Sequence, residues 1–153
     1  MLILLAPDLY MRWGILMYTL KNIDDRFVAN CIVKYSKPRV RRFVIDTGAR
    51  YTCCSYDYIN PALKEEDFSN CRTKMLGGFV ANVGMKFYEC KLDQFTIGTV
   101  DLKDQNIWIT FDPRIADSLL GMDILKQVLF LNRPDKGEVD IYTDYDELKE
   151  DLL

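Results

Sequence analysis

The sequence predicts one mostly β domain carrying one or two short helices. Its apolar residues come in short runs rich in Val, Ile, Phe, Tyr and Thr, the side chains that suit a pleated, half-buried surface. Turn-forming clusters cut those runs, as in Asn22-Ile23-Asp24-Asp25, Ser36-Lys37-Pro38-Arg39 and Asp112-Pro113-Arg114. At 153 residues and 49% hydrophobic, the chain has the size and composition of a single globule with a real core.

Taken in order, Met1 to Ala6 is apolar, but Pro7-Asp8 interrupts it and Arg12 follows. A membrane span takes about 20 mostly apolar residues, and a signal peptide opens with a basic stretch. Residues 1–14 fit neither pattern and read as an N-terminal arm or extra strand, with no membrane role. Ile15 to Leu20 and Arg26 to Tyr35 read as strands. A turn over 36–39 then sends Val40 to Ile45 back antiparallel. Thr52 to Ser55 starts another strand, and Pro61 to Glu66 suits a short helix with proline near its start.

Asn70-Cys71-Arg72-Thr73 leads into Lys74-Met75-Leu76-Gly77-Gly78-Phe79. Phe87 to Ile97 reads as one long strand, Ile97-Gly98-Thr99 as a turn, and Val100 to Leu102 and Asn106 to Phe111 as further strands. Met122 to Gln127, after Gly121, is the clearest short helix. Val128 to Leu131 and Glu138 to Tyr142 flank a hairpin turn over 132–137. The organisation expected is an arm over 1–14, a domain over 15–143 and an acidic tail over 144–153. Leucines at 148, 152 and 153 make that tail a frayed helix or a small partner contact.

Composition removes several function classes. The chain has no histidine, which excludes Ser-His and Cys-His nucleophilic chemistry and most catalytic zinc sites. Acid-base work must then come from carboxylates, Lys, Tyr or Cys. Five cysteines, two of them adjacent at 53 and 54, do not form a secreted disulfide framework and fit reduced thiols in the cytoplasm. A net charge of −3 argues against a nucleic-acid partner, and the basic run Lys37 to Arg42 reads as a solvated hairpin turn.

One stretch carries chemistry. Phe43-Val44-Ile45 is an apolar strand that runs into Asp46-Thr47-Gly48-Ala49, an acid followed by turn residues. A strand that delivers one carboxylate into a tight turn places a reactive acid at a sheet's edge. Residues 43–54 resemble the active-site loop of aspartic peptidases, the retroviral-type (retropepsin-like) branch in particular: apolar residues, Asp-Thr-Gly-Ala, two variable positions, then Thr52. Ser118-Leu119-Leu120-Gly121-Met122-Asp123-Ile124-Leu125 is similar to that family's second signature, and residues 74–79 to its flap. The likeness covers roughly residues 15–131.

The resemblance implies a closed or partly open β-barrel with a flap hairpin and one short C-terminal helix, acting as half of a dimer. It implies an aspartic endopeptidase in which Asp46, Thr47 and Gly48 form the catalytic loop. Ala49, with Met75, Leu76, Gly77, Gly78 and Phe79 of the flap, would contact a peptide or protein substrate. The chain holds one Asp-Thr-Gly, so the second acid would be Asp46 of a second copy across a twofold axis. Thr47 would link the two loops, and Leu119, Leu120 and Gly121 would pack behind them. Ala49 offers no hydroxyl to the acid, so activity is expected at less extreme acidity than in pepsin-like enzymes. No cofactor and no metal enter this chemistry.

Two departures accompany the likeness. Where viral members carry acids, this chain has Arg50 and Tyr51, and where they carry an Arg after the signature glycine it has Met122, followed by Asp123. An Arg50–Asp123 pair of reversed sign is one expectation; the alternative is an aspartate sitting favourably at a helix N-terminus. A catalytically weak module that dimerises or binds peptides is the second functional reading. Phosphoryl transfer is a third, disfavoured because Gly48 stands where a second acid is usually needed.

Overall fold

The computed structural model describes residues 2–6, 9–12, 15–23, 26–80, 83–98, 100–133 and 138–142. The acidic tail and the turn at 134–137 lie outside them. The fold is mostly β: among the described residues fourteen strands join one hydrogen-bonded sheet. In chain order these are β1 (Leu2–Ala6), β2 (Leu9–Arg12), β3 (Ile15–Ile23), β4 (Arg26–Tyr35), β5 (Lys37–Ile45) and β6 (Cys53–Ser55). A single helical turn, α1 (Tyr56–Ile59), and a 3-10 turn at Glu65–Phe68 precede β7 (Thr73–Val80) and β8 (Val83–Lys91). Then come β9 (Gln94–Ile97), β10 (Val100–Leu102), β11 (Asn106–Thr110), β12 (Leu119–Leu120), α2 (Met122–Leu125), β13 (Leu129–Arg133) and β14 (Glu138–Tyr142). No helix among the described residues is long and apolar enough to cross a membrane.

The sheet runs β1-β2-β3-β4-β5-β12-β6-β11-β8-β7, with β9 also on β4 and β14 also on β3. β4 shows why its sequence is a strand: Ala29, Cys31 and Val33 alternate inward and are fully buried. β11 is buried on both faces and separates two apolar clusters. Ile107 and Ile109 enter the main core with Phe43, Phe95, Ile97 and Leu120. Trp108, one residue out of phase, joins Cys53, Met85 and Phe87 in a smaller cluster, against which Tyr51, Leu76, Phe79 and Leu119 pack.

Several sequence expectations are corrected. The 36–39 turn contracts to Ser36, at φ 65, and Lys37 and Pro38 already pair with Tyr35 and Lys34. Proline is tolerated there because the Lys34 carbonyl accepts from Asp93 N–H, away from β5, so this pairing needs no N–H from residue 38. The 61–66 helix does not form. Pro61 instead sits in a turn closed by Leu63 N–H on Asn60 O, with Ala62 N–H on Asn60 Oδ1, and the 3-10 turn starts later. The long 87–97 strand is two, β8 and β9. Leu92 N–H donates to Gln105 O and Asp93 N–H to Lys34 O, so the chain changes partners mid-run.

Candidate active site

β5 ends at Ile45 and the backbone turns at once. Ala49 N–H donates to Asp46 O at 3.1 Å, and Gly48 N–H donates to Asp46 Oδ1 at 2.9 Å. An aspartate that accepts from the backbone two residues on forms its own small turn, which fixes the direction of its carboxylate. Glycine leaves the carboxylate free at this point, because a Cβ at 48 would stand 3.2 Å from Asp46 Oδ1 and press on it.

The segment 118–123 clamps this loop. Val44 N–H donates to Ser118 O and Asp46 N–H to Leu120 O, at 2.8 and 3.1 Å; Met122 N–H donates to Ala49 O and Asp123 N–H to Arg50 O, at 2.8 and 3.2 Å. Leu119 and Leu120 pair parallel with Val44 and Ile45. At Gly121 the two backbones nearly touch: a Cβ would lie 2.5 Å from the Tyr51 carbonyl carbon. Behind the loop, Thr52 is fully buried, and its hydroxyl donates to Asp123 Oδ1 at 2.7 Å while accepting from Gly121 N–H at 3.0 Å.

The Arg50–Asp123 pair does not form. The Asp123 carboxylate accepts from Thr52 N–H, the Thr52 hydroxyl and Ile124 N–H in the first turn of α2. Those donors are neutral, close and partly buried, so the acid is satisfied without a surface cation. Arg50 instead holds its guanidinium 5.5 Å from the Tyr51 ring centre.

Above the loop is an open cavity of about 710 Å3. It brings together Asp46, Gly48 and Ala49 with Leu76, Gly77, Gly78 and Phe79 of the β7–β8 hairpin. Gly78 takes φ +96, a conformation suited to glycine. Thr47 and Met75 are not among the lining residues. Thr47 is exposed on the turn. Met75 points to the opposite face of β7 from Leu76 and is 67% exposed, as strand alternation demands.

The sequence reading missed Arg26 and Asp117, which line the same cavity and pair at 3.0 Å. The antiparallel register Val28↔Val44, carried two residues on, sets Arg26 level with Asp46, so strand pairing was the signal that could have found it.

Comparison with known proteins agrees with this geometry. Residues 36–127 match the family described as "gag-polyprotein putative aspartyl protease". No curated protein sequence matches the chain significantly. Among solved structures, it is similar to a retropepsin-like aspartic protease from Rickettsia conorii, at 19% identity and a TM-score of 0.58, over 82% of this chain and 89% of that one. That likeness is one of fold. The match over residues 36–127 spans both the Asp46 loop and the segment that clamps it, and the chain belongs to the retropepsin-like family of aspartic proteases.

Proposed function

We propose that this chain is an aspartic endopeptidase that works as a homodimer, with one Asp46 carboxylate from each subunit facing a single water. The observation that carries the proposal is the Asp46 loop itself. A carboxylate aimed by Gly48 N–H, on a backbone clamped at four points, opens onto a cavity roofed by a glycine-bearing hairpin.

Two carboxylates brought together cannot both ionise, so they hold one proton between them; the aspartic-peptidase dyad is the standard example of this coupling. The ionised member takes a proton from water as its oxygen bonds to the peptide carbon. The protonated member gives its proton to the carbonyl oxygen. The diol collapses as the first carboxyl passes its proton to the amide nitrogen and the second takes one from a diol hydroxyl; the C–N bond breaks, releasing acid and amine and restoring the shared proton. Thr47, exposed beside Asp46, would meet its counterpart in the other subunit. Leu76, Gly77, Gly78 and Phe79 would close over the peptide and exclude water.

The test is cleavage of a diverse peptide pool by the purified chain, with and without a statine-type transition-state mimic, beside Asp46→Asn. Cleavage blocked by the mimic and absent from the variant is expected, with a dimer in sedimentation. Cleavage that persists in Asp46→Asn removes the mechanism. Peptide binding without turnover in either protein would favour a binding module.

A further inference from the structure

We infer that the Tyr51 end of the cavity is a carboxylate-binding subsite, so that a peptide taken there carries an acidic side chain or its free C-terminus at that point. This rests on the peptidase reading insofar as it needs a peptide in the cleft. Four charged residues line the cavity: Arg26, Asp46, Arg50 and Asp117. Arg26 and Asp117 neutralise one another, and Asp46 is turned to Gly48 N–H. Arg50 is exposed and makes no ion pair among the described residues.

A second cation, on β7 and outside the cavity lining, lies against the same Tyr51 ring. Lys74 Nζ stands 4.9 Å from the Tyr51 ring centre and 5.3 Å from that of Trp108, and it too makes no ion pair among the described residues. An aromatic face attracts each cation but supplies no full charge to offset two. An anion seated against Arg50 gains from its charge at contact and from Lys74 at longer range, and the planar guanidinium fits a carboxylate through two parallel hydrogen bonds. The chain as a whole carries −3, so this positive end is local and opposite to the bulk. A twofold dimer would present it twice, favouring acidic positions on both sides of the cleaved bond.

The experiment scans Glu against Gln through each position of a cleaved peptide, and free acid against amide at its C-terminus. It reads kcat/KM for the native chain and Kd for Asp46→Asn. At one or more positions the carboxylate is expected to be favoured about five- to tenfold at low salt, and less at high salt. That ratio falls toward one in Arg50→Gln and in Lys74→Gln, and Arg50→Glu turns the preference toward Lys. A preference confined to the free acid assigns the carboxylate to the substrate's end.

No position above about twofold, or a preference that Arg50→Gln leaves intact, overturns the subsite. A Glu preference in binding without any cleavage keeps the subsite and removes the peptidase. Cleavage indifferent to charge does the reverse, and failure to bind or cleave any peptide removes both.

Discussion

Thr52→Val removes one hydroxyl and keeps the shape of the side chain. In the native loop that hydroxyl donates to Asp123 Oδ1 at 2.7 Å and accepts from Gly121 N–H at 3.0 Å, at a residue with no exposed surface. Loss of a hydrogen bond to a carboxylate costs about 1.5–3 kcal/mol, and stranding a buried backbone N–H costs about 1–3 kcal/mol. Asp123 keeps Thr52 N–H and Ile124 N–H as donors, so the carboxylate is not left bare. The two losses share one residue and overlap, which places the total at about 3 kcal/mol. With a urea slope of about 1–3 kcal/mol per molar, the unfolding midpoint should fall by about 1–3 M. Protein concentration must be held fixed, because the stability of the proposed dimer would depend on it. Thr52→Ser keeps the hydroxyl, loses one buried methyl and should cost only about 1 kcal/mol. A valine variant within about 0.5 kcal/mol of the native chain, or a serine variant as damaged as valine, would refute the account.

Gly121→Ala should fold poorly, because its Cβ would lie 2.5 Å from Tyr51 backbone that β12 and α2 hold in place; a loss above about 2 kcal/mol in the same urea assay is expected. Gly48→Ala should instead leave stability nearly unchanged while lowering kcat at least about tenfold, since the added carbon meets the Asp46 carboxylate at 3.2 Å. Thiol labelling of the native chain should modify the exposed Cys71 first and reach Cys31, Cys53, Cys54 and Cys90 only on unfolding. Burial pushes the Cys53 and Cys90 thiols up to about 12 from 9.0. The folded state therefore holds their protons where the unfolded state releases them. The stability from neutral burial is full below about pH 9 and is lost as pH rises toward 12. A urea midpoint that stays level from pH 8 to 11 would contradict this.

What was legible in the sequence was what neighbouring residues decide. β4 announces itself by alternation, and the Asp46–Ala49 turn needs only Asp, Gly and their own backbone. The break between β8 and β9 was illegible because Leu92-Asp93 offers a lone aspartate with no glycine or proline beside it; Gln105 and Lys34, distant in sequence, draw the chain aside. The Arg50–Asp123 expectation rested on charge sign alone. A buried Thr52 in need of a partner, visible only once β6 and β12 are adjacent, draws the acid elsewhere. Arg26 and Asp117 were hidden for the same reason: they belong to segments that only strand pairing brings to the cavity.

The division of apolar side chains by β11 bears on motion. The cavity-facing part of the β7–β8 hairpin rests on the smaller cluster of Cys53, Met85, Phe87 and Trp108, while Tyr88 and Cys90 at the base of β8 reach the main core. Its tip can therefore lift at the expense of a few contacts while the bulk of the sheet stays intact. Amide hydrogens over 73–79 should exchange by small openings, well below the energy of global unfolding. If the hairpin closes over a peptide as proposed, the roof of the cleft and its floor would be two mechanical parts, changing in sequence at different rates.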